Sequence, residues 1–231
     1  MRATKGAVQA LSIHPQTHEP SFKIIGDVNP VGICGSGMID ALTELFLTGL
    51  IDQKGKFRKY PKSERIQEGF NGFEFLLYKD NQREIVLTEV DIENILRAKA
   101  ALYAGISSLI KEVGLAINDL DRIYIAGGFG NYLNVEKAIT IGMLPDLPKE
   151  KFTFLGNTSI AGAYLCLRSG TLRKEAEDIA LKMTNIELSV SRNFMDEYMS
   201  ALFLPHTDMG LFPSAAKLLK QGREENHSGR Q

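Results

Sequence analysis

The chain has 231 residues, 44% of them hydrophobic and 24% charged, which is the balance of an ordinary soluble globular protein. A formal net charge of −1 argues against nucleic-acid and membrane-surface partners, and no apolar run is long enough for a transmembrane helix. Two cysteines are too few for a disulfide framework or an all-cysteine metal site, so we expect a reducing, cytoplasmic setting.

The first part of the chain predicts four strands and one helix from its hydrophobic periodicity. In chain order these are strands over Ala7–Ile13 and Ser21–Ile25, a helix from Met38 to about Gly49, and a hairpin of Phe73–Tyr78 with Glu84–Leu87. The charged stretch Asp52–Gly72 has no strong period, and we expect it to be an irregular connection.

The longest predicted helix begins at Thr88 and runs to about Val113, with Asp91 completing a capping box and Gly114 as the C-terminal cap. After it we expect strands over Ile123–Ala126, Phe152–Leu155 and Ile186–Val190, and helices over Val135–Ile141, Ile160–Leu167, Leu172–Met183 and Asn193–Phe203. Strands that alternate with helices indicate an α/β architecture. The polar tail, residues 215–231, is expected to be disordered.

The most informative motif is the glycine segment that follows the predicted strand Ile123–Ala126. It consists of Gly127, Gly128, Phe129, Gly130 and Asn131. Glycine has no Cβ, so a flat ligand can lie directly on the backbone. Open α/β sheets bind nucleotides in crevices at the carboxyl ends of their strands. We favour a nucleotide site over the alternative, a structural strand-to-turn junction that binds nothing.

A second glycine cluster contains Gly35, Ser36 and Gly37 at the start of a predicted helix. Free backbone N–H groups there favour an anion such as phosphate. The alternative is a tight turn in which Ser36 caps the helix, and the sequence supports both equally. Neither glycine cluster completes a dinucleotide fingerprint, because Asp40 and Leu133 occupy the positions of the third glycine.

Lys99 is the unusual residue of the long helix, because its spacing places it in or beside the buried apolar stripe. An unpaired buried ammonium is costly. Either Lys99 snorkels or finds a carboxylate, or it reaches the ribose or phosphate of a nucleotide. Two other segments, Gly156–Ala163 and the apolar stripe of Phe194–Phe203, are interpreted as packing.

Several motifs together resemble the C-terminal ATPase domain of the reductive activators of corrinoid proteins. The matching stretches are Met1–Ala7, Gly32–Gly37, Arg97–Ala101, Ile123–Leu133, Gly156–Ala163, Phe194–Tyr198 and Leu204–Asp208. The resemblance implies a lobe of the actin/Hsp70/sugar-kinase superfamily, with an RNase H-like fold and with Gly127 and Gly128 as its adenosine motif. It implies ATP with Mg²⁺ as cofactor and, as partner, the corrinoid protein of a methyltransferase system, whose cob(II)alamin is reduced to cob(I)alamin.

The resemblance also indicates what this chain lacks. The family's [2Fe–2S] cluster needs four cysteines, so this chain cannot hold it. The aspartate-led phosphate hairpin of whole activators is absent as well. We therefore expect an incomplete lobe over residues 1–214, with 52–113 as a subdomain insertion and with an exposed sheet edge or apolar face that makes a homodimer conceivable. No catalytic residue or metal ligand is assigned. The alternatives are a small-molecule kinase of the same superfamily and a non-enzymatic module that binds a corrinoid protein.

Overall fold

The computed structural model describes residues 1–128, 133–188 and 191–228. Its N-terminal sheet has the strand order β2–β1–β3, with β1 antiparallel to β2 and parallel to β3. The strands are β1, Ala7–Ile13, β2, Pro20–Ile24, and β3, Gly32–Ile33. The first two were predicted. The third was not, because two residues, one of them glycine, carry no alternating pattern.

Helix α1, Gly35–Leu47, packs on this sheet and confirms the predicted helix, although it begins three residues earlier than expected. Its apolar residues Ile39, Leu42 and Leu45 are buried against β1 and the rest of the core. The helix ends before Gly49, whose φ of +76° is a conformation that glycine adopts without strain.

A polar cluster closes the edge of β1 where β3 no longer pairs with it. The carboxylates of Asp40 and Glu44 on α1 accept backbone N–H bonds from Leu11 and Ile13, both at 3.0 Å. The ammonium of Lys137 lies 3.3 Å from Asp40 and 3.0 Å from Glu44. Burial raises the pKa of Asp40, while the Leu11 N–H and the Lys137 charge oppose that rise. The cluster thus fixes α1 on β1 with paired charges.

The second sheet is an antiparallel meander of β4, Ile66–Gly69, β5, Gly72–Lys79, and β6, Glu84–Thr88. The predicted hairpin is confirmed as β5 and β6. The prediction of an irregular connection over Asp52–Gly72 is wrong for its last part, since that part supplies β4. Charged and amide side chains hide the pattern there, and pairing with β5 outweighs the weak local preference.

Helix α2, Glu89–Glu112, has the predicted ends. Thr88 and Asp91 form a reciprocal capping box, and Gly114 has a φ of +72° after the last turn. Neither α2 nor any other helix in the described part of the chain is long and apolar enough to cross a bilayer. One buried cluster joins α2 and the second sheet to β1 and α1, and the division of the chain at 52–113 stays a prediction.

The predicted β–α–β–α order of the next segment is confirmed. Strand β7, Ile123–Ala126, pairs in parallel with β8, Phe152–Gly156, and the short helix α3, Val135–Thr140, lies between them in the chain. Helices α4, Thr158–Arg168, and α5, Gly170–Lys182, follow. Neither of these helices contains a buried residue.

Three expectations for the C-terminal part are corrected. Residues 186–188 of the predicted strand Ile186–Val190 are not in a strand, and residues 189 and 190 lie outside the described part. In α6, Arg192–Ala201, Met195 and Met199 are exposed, so the apolar stripe is not core throughout. The first part of the tail is not disordered, because α7 spans Pro213–Ser228 and buries Ala215.

Candidate nucleotide site

Gly127 and Gly128, the described residues of the glycine segment after β7, leave their backbone uncovered by other described residues. Gly127 has a φ of +106°, and its N–H donates to the carbonyl oxygen of Gly156 at the end of β8, at 2.7 Å. A Cβ built on Gly127 or Gly128 would meet no atom of the described residues within 4 Å. The backbone is therefore held by the neighbouring strand on one side and open on another. Phe129, Gly130 and Asn131 lie outside the described residues.

The chain is anchored on both sides of this segment. Ile123 and Ile125 of β7 pack against the core, and Leu133 and Val135 are buried where the described chain resumes. The open glycines thus lie beside rigid elements, which is the arrangement that suits a binding loop.

The end of β8 lies at the same edge of the sheet, since β7 and β8 are parallel. Gly156 has a φ of +67°, and the side chain of Asn157 caps α4 by accepting the N–H of Ile160 at 3.2 Å. The interpretation of this segment as close packing is wrong for Gly162, because a Cβ there would meet no atom of the described part of the chain within 4 Å. Among the described residues, the end of β7 and the position of Gly162 in α4 therefore border open space, as expected near a crevice in an α/β sheet.

The second glycine cluster is built mainly for packing. The hydroxyl of Ser36 is buried and donates to the carbonyl oxygen of Gln9 at 2.8 Å. Its single proton is therefore unavailable to a phosphate, and the assignment of the Ser36 side chain to an anion is wrong in this arrangement. A Cβ on Gly37 would lie 2.4 Å from the carbonyl oxygen of Val8, so glycine is required for α1 to approach β1.

The start of α1 nevertheless keeps one property of an anion site. Cys34 is the N-cap residue, and no side chain caps the helix. The Cys34 thiol instead donates to the carbonyl oxygen of Val8 at 3.3 Å. Among the described residues, the backbone N–H groups of Gly35, Ser36 and Gly37 in the first turn have no acceptor.

Lys99 does not face a ligand site. Its side chain is fully buried, and its ammonium donates to the carbonyl oxygens of Phe203 at 2.5 Å and Pro205 at 2.7 Å. Burial lowers its pKa to about 7. The structure therefore gives Lys99 a structural role, tying α2 to the segment after α6, in place of the predicted nucleotide contact.

The sequence did not predict a second polar cluster, which Glu197, His206 and Lys111 form. His206 accepts the N–H of Asp208 at Nδ1, and its Nε2 lies 3.3 Å from Oε1 of Glu197. Lys111 donates to the other oxygen of Glu197 at 2.8 Å. The pKa of Glu197 is lowered to about 2. Its contact with His206 has the largest effect, and the Lys111 ammonium lowers the pKa further. Two motif stretches, Phe194–Tyr198 and Leu204–Asp208, were the available signal. Their contact joins α6 to the segment after it, and the ion pair of Lys111 with Glu197 joins α6 to α2.

No three histidine, cysteine or acidic side chains converge as metal ligands within the described ranges. The two cysteines also do not fit an iron–sulfur cluster. Cys34 is buried with its thiol hydrogen-bonded, and Cys166 lies on α4. A [2Fe–2S] cluster takes four cysteine ligands, twice the number that the chain contains.

The comparisons with known proteins agree with the resemblance. The model of the C-terminal domain of RACo, the ASKHA domain, matches residues 1–216. Corrinoid activation enzyme RamQ of Eubacterium limosum is 33% identical over 210 residues, which cover 86% of this chain and 35% of that protein. The [Co(II) methylated amine-specific corrinoid protein] reductase of Methanosarcina barkeri is 31% identical over 174 residues, or 74% of this chain and 29% of that protein.

A solved structure supports the fold assignment independently. The reductive activator for corrinoid, iron–sulfur protein has 48% sequence identity and a TM-score of 0.87, with 93% of this chain and 35% of that chain covered. The predicted α/β fold of the actin/Hsp70/sugar-kinase type is confirmed. The chain spans about a third of the length of these relatives. It belongs to the family of the C-terminal ASKHA domain of the reductive activators of corrinoid proteins.

Proposed function

We propose that this chain is the nucleotide-binding and partner-docking lobe of an ATP-dependent reductive activator. The activator would return cob(II)alamin on a corrinoid protein of a methyltransferase system to cob(I)alamin. Family membership supports the corrinoid partner, since two relatives are named for acting on corrinoid proteins. The observation that carries the nucleotide part is the uncovered backbone of Gly127 and Gly128 at the carboxyl end of β7.

In this proposal Gly127 and Gly128 form the platform for adenine and ribose, with Phe129, Gly130 and Asn131 completing the loop. Neither glycine carries a side chain that would block a planar base, and a Cβ at either of them would meet no described atom within 4 Å. The polyphosphate with its Mg²⁺ would lie toward the first turn of α1. There the backbone N–H groups and the helix dipole would attract an anion, while the Ser36 hydroxyl would take no part.

ATP would act as a conformational lever. A ligand shifts an equilibrium between two states only by its differential affinity for them. The lobe would therefore bind ATP and ADP with different affinities in the free and partner-bound forms. The electron would come from an iron–sulfur group held elsewhere, because the cysteines here do not fit one.

Calorimetric titration of the chain with ATP, ADP and a purified corrinoid protein tests the proposal. We expect saturable heat with ATP and Mg²⁺, and an affinity for the corrinoid protein that changes when nucleotide is present. Partner binding without any nucleotide heat would replace the proposal with a non-enzymatic interaction module. Formation of a phosphorylated product from a panel of sugars and acetate would replace it with a small-molecule kinase.

A further inference from the structure

A recess of about 450 Å³ opens between the C-terminal half of α2 and α6. Residues 115–118, which precede β7, close one side of it, and the segment before α7 closes another. Its described lining shares no residue with the candidate nucleotide site, whose glycines follow β7. The volume of this recess, the α2–α6 recess, lies within the range of about 300 to 1,000 Å³ that small-molecule sites occupy.

Two buried hydroxyl groups on α2 line the recess without a hydrogen-bond partner among the described residues. Tyr103 and Ser107 are only 1% and 3% exposed, and they lie one helical turn apart. Neither hydroxyl oxygen is among the unpaired polar atoms that are sealed from solvent, so both reach the open space of the recess. Burial raises the pKa of Tyr103, and the charges of Glu197 and Asp208 raise it further. The Tyr103 hydroxyl therefore lies in a negative field.

The charged side chains that line the recess leave it with an excess of negative charge. Lys111 and Glu197 neutralise each other as an ion pair of 2.8 Å. Asp146 also lines the recess and forms no ion pair with another described residue. One oxygen of Asp146 accepts the N–H of Ser214 at 2.8 Å, which holds the carboxylate in place and leaves its other oxygen for a donor. The recess therefore favours a cation over an anion.

The remaining wall of the recess is apolar. Ile110 of α2, Leu115 and Ile117 before β7, and Leu211 before α7 contribute to it. Leu115 and Leu211 are 47% and 43% exposed, so a hydrocarbon group bound here would remove apolar surface from water. An apolar wall with a few convergent polar groups is typical of a site for a small organic molecule.

We propose that the α2–α6 recess binds a small organic ammonium ion. The N–H groups of the ammonium donate to the carboxylate of Asp146 and to the hydroxyl oxygens of Tyr103 and Ser107. Its hydrocarbon part covers Leu115 and Leu211. The charge of the ligand balances the unpaired carboxylate, and its donors satisfy the two buried hydroxyl groups. The proposal is independent of nucleotide binding and of the corrinoid partner.

NMR titration of the chain with ethylammonium, n-butylammonium and cyclohexylammonium chloride tests the proposal. At least one of the three should give saturable chemical-shift changes at the amides of Tyr103, Ser107 and Ile117, which line the recess. The neutral alcohol 1-butanol has the shape of n-butylammonium without its charge, and should bind about ten-fold or more weakly than that ion. No saturable change with any of the three ions, or equal binding of 1-butanol and n-butylammonium, would overturn the proposal.

Conservative variants locate the site. Asp146→Asn keeps an oxygen for the N–H of Ser214, so the fold should be retained, and it should bind the tightest of the three ions about ten-fold or more weakly. Tyr103→Phe keeps the ring contact with Phe212 and loses only the hydroxyl, and should weaken binding about five-fold. Asp178→Asn, at an exposed aspartate of α5, is the matched control and should bind like the wild type. Equal affinity of Asp146→Asn and the wild type would overturn the proposal.

Discussion

Replacing Lys99 by methionine should remove a rise in stability that the wild-type chain shows as the pH is raised from neutrality. The Lys99 ammonium is fully buried, and within the described residues it donates to two backbone carbonyl oxygens. Burial lowers its pKa from 10.5 to about 7, so the folded state holds this proton less tightly than the unfolded state. Folding therefore becomes more favourable as the pH rises through the window between the two values.

The size of the effect follows from the same two pKa values. Each unit of separation corresponds to about 1.4 kcal/mol. Raising the pH from about 7 to about 9 should therefore increase the free energy of unfolding by about 2 kcal/mol, because the buried amine loses its charge in the folded state. The methionine variant leaves the carbonyl groups of Phe203 and Pro205 without their donor, which costs about 1 to 3 kcal/mol at every pH. The pH dependence of the free energy of unfolding, rather than its absolute value, is therefore the diagnostic quantity.

Urea unfolding at a series of pH values between neutrality and pH 9 measures this quantity for the wild type and the Lys99→Met variant. The control is Lys149→Met, which removes a lysine whose side chain is 64% exposed and should leave the wild-type profile unchanged. Parallel profiles for the wild type and Lys99→Met would refute the reasoning, because they would mean that the buried ammonium keeps an ordinary pKa.

Two further predictions concern a glycine and a carboxylate. Gly142→Ala should cost about 3 kcal/mol by denaturant unfolding, since its Cβ would lie 2.0 Å from the carbonyl oxygen of Pro205. Gly114→Ala has nearly the same φ but open space, and should cost only about 1 kcal/mol; equal losses would exclude the steric explanation. The free energy of unfolding of the wild type should fall by about 2 kcal/mol as the pH falls from 4.5 toward 2, because the ionised form of Glu197 stabilises the fold. Glu197→Gln should lack this loss in acid unfolding, and an unchanged acid limb would show that the carboxylate is not held by His206 and Lys111.

The elements with strong local signals were predictable from the sequence. The capping box of Thr88 and Asp91 and the glycine at position 114 fix both ends of α2 through contacts within a few residues. The strand-to-glycine junction at Ala126 and Gly127 is equally local, because it needs only a short apolar run and a residue tolerant of positive φ. Periodicity and end signals were sufficient for these elements.

What the sequence missed depends on contacts between distant residues. The hydroxyl of Ser36 is used by Gln9, 27 positions away, and the ammonium of Lys99 by Phe203, 104 positions away. A single residue type cannot reveal such partners. Strand β4 and helix α7 were missed for a related reason. Both have polar sequences. Strand β4 forms because it pairs with β5, and α7 forms because its Ala215 packs in the core.

The nucleotide platform is tested most directly by placing a side chain on it. In Gly128→Val the new Cβ would meet no atom of the described residues within 4 Å, so the fold should be unaffected while the space proposed for the base is filled. Gly170→Val makes the same change at another open glycine, at the start of α5, and serves as the control. In calorimetric titration with a non-hydrolysable ATP analogue and Mg²⁺, we predict that the wild type and Gly170→Val bind equally and that Gly128→Val binds about ten-fold or more weakly. Equal affinity in all three proteins, or no binding by the wild type, would contradict a nucleotide site on the glycine segment of β7.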